Sequence, residues 1–135
     1  MLGLAVVLVG ACNDLRAFEG TWSGPRVGDN VSYGVDASAV ATLAIAGIDG
    51  HGIHGHLQIP SLVDADFASL PAAEADVLST MTFSGDPMRV YLAFVPATGG
   101  DALAMVALYD SRRIEVRVLR GGAVPVYAIF TLSES

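Results

Sequence analysis

Five short apolar runs at nearly even spacing, residues 77–83, 88–95, 102–109, 113–120 and 124–132, constrain the fold of this chain more than anything else in it. Between them lie Ser84-Gly85-Asp86-Pro87, Thr98-Gly99-Gly100-Asp101, Asp110-Ser111-Arg112 and Gly121-Gly122, residues suited to tight reversals. Connections this short join only antiparallel neighbours, because a parallel pair needs a crossover of about a dozen residues or more. Upstream, residues 18–23, 40–45 and 53–59 read as three further strands. Asp49-Gly50 between the last two is a hairpin signal, and Gly47, Gly52 and Gly55 point to a bulge or a longer loop there.

The stretch 60–76 breaks this pattern. Ser61 is placed as an N-cap, Leu62, Phe67 and Leu70 are spaced for one helical face, and Pro71 stops the turn. A short helix or lid is therefore expected between the third and fourth strands. With 53% hydrophobic and only 16% charged residues, a chain of 135 residues has the apolar surface for one packed domain. An open eight-stranded antiparallel sheet would leave two long edges and a wet apolar face, and closure removes both. The predicted fold class is all-β: an eight-stranded antiparallel up-and-down β-barrel. Alternation places Met88, Val90, Leu92 and Phe94 inward, with Ile114, Val116 and Val118, and Val126, Ala128 and Phe130. Glu115 and Arg117 then face solvent. Tyr91, Ala93, Val95, Val106 and Leu108 form a second apolar face, to be covered by the segment after Pro60, a partner subunit or a membrane surface.

The N-terminus has a different character. Residues 2–9 are an apolar run too short to span a bilayer as a helix, which takes about 20 residues, and they read as the core of a secretory signal. Val9-Gly10-Ala11-Cys12 resembles the lipobox of bacterial lipoproteins. That resemblance implies lipidation of Cys12, a signal peptide over 1–11, a tether over 12–17 and a barrel over 18–135. It further implies a place in the bacterial cell envelope, periplasm-facing or at the outer membrane. The competing reading makes 2–11 a buried first strand and Cys12 a packed thiol. One cysteine makes no internal disulfide, so packing alone must hold the fold. The basic residues are seven arginines against fourteen acids, a net charge of -7, which excludes nucleic acid as a natural partner.

Gly20-Thr21-Trp22, at the start of the first strand, resembles the Gly-x-Trp signature of lipocalin and fatty-acid-binding (calycin) barrels. The resemblance implies that Trp22 plugs the closed end beneath a late-strand arginine, Arg117 or Arg120. It also implies a cup, lined here by Val90, Leu92, Phe94, Val116 and Val118, open to a small apolar ligand. A barrel of this size can equally be packed solid, and a filled barrel would serve as a protein–protein interaction or structural module of the envelope, alone or as a homo-oligomer.

All three histidines lie in Asp49-Gly50-His51-Gly52-Ile53-His54-Gly55-His56. On a strand His54 and His56 share a face and could hold a metal with His51 or Asp49, or simply form a solvated face opposite Ile53, Leu57 and Ile59. Asp64, Asp66, Glu74 and Asp76 make an acidic patch beside the expected lid. The sequence carries no Gly-x-Ser-x-Gly elbow and no phosphate-cradling loop, so neither an enzyme nor a cofactor is expected.

Overall fold

The computed structural model describes residues 15–28, 34–70 and 87–135. Cys12, the lipobox and the expected strand 77–83 lie outside the described residues. Among the described residues a 3-10 turn at Arg16–Phe18 leads into eight strands: β1 Gly20–Val27, β2 Val40–Ile48, β3 Ile53–Ile59, β4 Val63–Ala68, β5 Arg89–Val95, β6 Ala102–Tyr109, β7 Arg113–Arg120 and β8 Val126–Glu134. They form one antiparallel sheet in the order β4-β3-β2-β1-β8-β7-β6-β5, with first and last strands paired at its centre. The sheet curls into a nearly closed barrel. Its two edge strands meet through Leu70 N–H donating to the Leu92 carbonyl at 2.7 Å and Thr98 N–H donating to the Leu62 carbonyl at 2.8 Å.

The helix or lid expected after Pro60 is instead β4. Pro60 and Ser61 form a tight turn in which Ser61 takes a left-handed φ of 65° and Leu62 N–H returns to the Ile59 carbonyl. This arrangement, proline followed by a positive φ, is that of a type II turn rather than a helix start. The alternation of Val63, Ala65 and Phe67 with Asp64 and Asp66 then wins over the helical spacing, because each residue of β4 pairs against β3. The expected irregularity near Gly47 is present as a register shift between Ile45 and Gly47 on β2. Asp49 closes the following turn by accepting from the N–H groups of His51 and Gly52 at 2.8 and 3.1 Å.

The interior is filled in layers set by register. Tyr91, Val106, Val116 and Phe130 lie side by side across β5 to β8, and Ala93, Ala104, Val118 and Ala128 form the next level. All eight belong to one buried cluster that also holds Leu43, Ile45, Leu57 and Phe67 from the other wing. Ile114, Val116, Val118, Val126, Ala128 and Phe130 face inward as predicted.

The facing of β5 is reversed from expectation. Tyr91, Ala93 and Val95 point inward, whereas Val90 and Leu92 pack outside with Met105 and Leu103, and Phe94 is 63% exposed. Val106 and Leu108 likewise point inward. A strand apolar on both faces does not declare its own orientation, and pairing with β6 decides it. The outer face of this wing is not the solvated surface expected either. Glu115 is 2% exposed and accepts from Arg117 Nε at 2.6 Å, while Arg117 Nη1 donates to the Tyr127 hydroxyl at 3.2 Å.

Gly24 shows how closely the two wings join. A Cβ at this position would run into the Thr131 carbonyl of β8, so β1 and β8 can approach here only because the side chain is absent. The alternating strands put the turns after β2 and β6 at one end, the base, and those after β1, β3, β5 and β7 at the other, the mouth.

Candidate functional site

The base is closed by Trp22, which is fully buried. Its indole N–H donates to the Phe18 carbonyl at 2.8 Å, and its ring stacks on that of Phe18 with centroids 5.5 Å apart. An arginine does stand over the indole, but it is Arg112, 5.7 Å from the ring centroid and held by Glu134 at 2.7 Å. Arg117 and Arg120, the expected partners, are elsewhere: Arg117 is tied to Glu115 on the outer face, and Arg120 is at the mouth. The reason is geometric. Arg112 sits in the β6–β7 turn with a left-handed φ of 62°, which turns its side chain back under the base, whereas β7 runs away toward the mouth and carries Arg120 with it.

The mouth holds a cup of about 670 Å³. Its wall is built from four connections: Val35, Asp36 and Ser38 after β1, Pro60 and Ser61 after β3, Thr98 and Gly99 after β5, and residues 121–124 after β7. Ala39, Leu62 and Val126 supply an apolar floor and are buried in the core beneath. The volume lies within the ~300–1,000 Å³ usual for small-molecule sites. Of the five side chains predicted to line a cavity, none reaches this cup. Val116 and Val118 are buried in the core below it, and Val90, Leu92 and Phe94 are outside the barrel.

Two polar groups of the cup differ in their engagement. Asp36 accepts from the N–H and hydroxyl of Ser38, both at 3.0 Å. Those bonds, led by the backbone one, hold its carboxyl below its ordinary value. Arg120 follows the inward parity of Ile114, Val116 and Val118, and is only 9% exposed. Its Nη2 donates to the Val124 carbonyl at 2.6 Å, and its Nη1 lies against Gly99, whose φ of 86° and missing Cβ make room for it.

The histidines occupy the outer surface of the first wing. His56 lies between two carboxylates of β4, with Nδ1 2.7 Å from Asp66 and Nε2 2.6 Å from Asp64. Donation at both nitrogens requires the imidazolium form, and these bonds, that to Asp66 first, raise the His56 pKa above its ordinary 6.5. His54 does not join this cluster, since its ring lies over Gly47. Among the described residues no group of three or more histidine, cysteine or acidic side chains is arranged to hold a metal ion.

Sequence reasoning missed Arg112, Asp64 and Asp66 as partners of the residues it singled out. The alternation in Val63-Asp64-Ala65-Asp66-Phe67 was the available signal for the two aspartates, since a strand there must present both to its neighbour β3. Arg112 reads in the sequence only as part of the turn Asp110-Ser111-Arg112, and its placement depends on a backbone conformation the sequence does not declare.

No protein family and no curated protein matches the chain. Among solved structures, it is similar to a mutant of the fluorescent protein UnaG, at 14% sequence identity and a TM-score of 0.43, over 89% of this chain and 97% of that one.

Proposed function

We propose that this protein is a small-molecule binder that holds its ligand in the cup at the mouth of the barrel, and that Cys12 tethers it to a bacterial envelope membrane. The observation that carries the first half is the cup itself: about 670 Å³ of concave space over an apolar floor, at the end away from the Trp22 plug. Ala39, Leu62 and Val126 are buried beneath the cup, which places the ligand at the rim. The second half rests on Val9-Gly10-Ala11-Cys12. Two residues, Asn13 and Asp14, separate Cys12 from Leu15 at the base, a reach of about 10 Å at full extension, so a lipid there would leave the cup facing away from the bilayer. Binding suits the cup better than turnover, since its carboxylate is committed to Ser38.

N-phenyl-1-naphthylamine, a neutral dye that brightens in apolar sites, tests the cup. Ala123 is an exposed lining residue, so Ala123→Trp fills the space without entering the core. We expect the dye to bind the native protein and lose at least tenfold in affinity with this variant; equal binding by both would remove the reading. For the anchor, mass spectrometry of protein extracted from membranes should show acylated Cys12, and Cys12→Ala should move the protein to the soluble fraction.

A second reading has one observation in its favour. Phe94, Leu103, Leu119 and Tyr127 form a continuous row across the outer face of β5 to β8, with Phe94 63% and Leu119 44% exposed. Such a row suits a protein partner. The face first expected for that role, around Tyr91, Val95 and Leu108, is inside the barrel. Phe94→Asp should abolish capture of a partner if this surface docks one.

A further inference from the structure

The geometry points to an anionic ligand: a small molecule with an apolar body and one carboxylate, which Arg120 binds at the floor of the cup. This inference rests on the cup being a ligand site and names the chemistry the site selects. Arg120 lines the cup, faces inward and is nine-tenths buried. Its hydrogen bond is to a neutral acceptor, the Val124 carbonyl, and among the described residues no carboxylate forms an ion pair with it. A guanidinium removed from water without a counter-ion is costly, and its planar fork is shaped to take a carboxylate through two parallel bonds.

The surroundings support the same assignment. Gly99 clears space on the Nη1 side, where any side chain would crowd the guanidinium. Asp36, the one acid among the described residues of the cup wall, is turned to its own loop by Ser38 and does not neutralise Arg120. The protein as a whole carries -7, a field that repels anions at long range, so an anion bound here is held by local contact. Ala39, Leu62 and Val126, which line the same cup, take the apolar body, which excludes a bare inorganic ion as the best fit.

A matched pair of dyes tests this on the purified protein. 8-Anilinonaphthalene-1-sulfonate is N-phenyl-1-naphthylamine with an added sulfonate, so their relative affinity reads the contribution of the anionic group. We expect the native protein to bind the sulfonate at least tenfold more tightly, with that preference falling as salt is raised. Arg120→Met should abolish the preference, and Arg120→Lys should restore part of it. 1-Naphthoate should displace the sulfonated dye, and inorganic phosphate should not. Absence of any preference in the native protein overturns the inference without a variant, so a failure of Arg120→Met to fold does not shield it. Displacement by phosphate as strong as by naphthoate also overturns it. If both dyes ignore Ala123→Trp, the cup reading itself fails; if both respond to it while Arg120→Met changes nothing, the cup stands and the anion assignment falls.

Discussion

Replacing Trp22 by alanine tests whether the base of the barrel is structural. The side chain is fully enclosed, and burial of an aromatic of this size removes roughly 150–250 Å² from water, worth about 4–6 kcal/mol as an upper bound. Partial collapse of Phe18 and Arg112 into the space brings the expected loss to about 3–5 kcal/mol. That is a large share of the ~5–15 kcal/mol that holds a domain together. Trp22→Phe separates the contributions: it keeps a ring against Phe18 but leaves the Phe18 carbonyl without its donor, for a loss of about 1–3 kcal/mol. Urea unfolding followed by far-ultraviolet circular dichroism suits these variants, because the native chain's one tryptophan is itself the residue removed. The denaturant slope should be unchanged and the midpoint lowered. A loss under about 1.5 kcal/mol for Trp22→Ala would refute the buried-plug account. So would a folded variant whose dye affinity at the mouth fell more than threefold, since base and mouth are opposite ends of the barrel.

Because bonding to Asp66 and Asp64 raises the His56 pKa, the stabilisation it brings is fully present below the unfolded value of 6.5 and is lost as pH rises through the higher folded value. Thermal midpoints of the native protein should therefore fall above about pH 6.5 relative to His56→Gln, and parallel curves would contradict the assignment. The reversed facing of β5 is checked by a pair of variants: Phe94→Ser, outside, should change stability by less than about 0.5 kcal/mol, whereas Tyr91→Ala, inside, should cost about 3–5 kcal/mol in the same urea assay.

The strands of the second wing were readable because their boundaries are written as turn residues. β6 and β7 match the runs 102–109 and 113–120 residue for residue, since Asp110-Ser111 and Gly121-Gly122 leave little choice. Facing was readable only where one parity is polar. β3, with His54, His56 and Gln58 between Ile53, Leu57 and Ile59, declared its inward side; β5, apolar in both parities, did not. β4 was obscured because Leu62, Phe67 and Leu70 satisfy a helical spacing while Val63, Ala65 and Phe67 satisfy an extended one, and only the partner strand decides. The cup was beyond sequence reading for a simpler reason. Its wall comes from four connections that meet only once the sheet has curled, and Arg120 becomes a buried cation only in that company.

The central pairing of β1 with β8 has a consequence for how the barrel comes into being. Ser23 and Ser135 touch across 112 residues of chain, and closing a loop of that length costs about 4 kcal/mol beyond the fixed cost of joining its ends. Each wing can zip locally, strand upon neighbouring strand, but neither produces the junction. During folding, β1 therefore waits with one edge bare until β8 reaches it, a delay in which that edge is open to another chain. Loss of β8 would leave the two wings joined only along the β4 and β5 edges, through the bonds of Leu70 to Leu92 and Thr98 to Leu62.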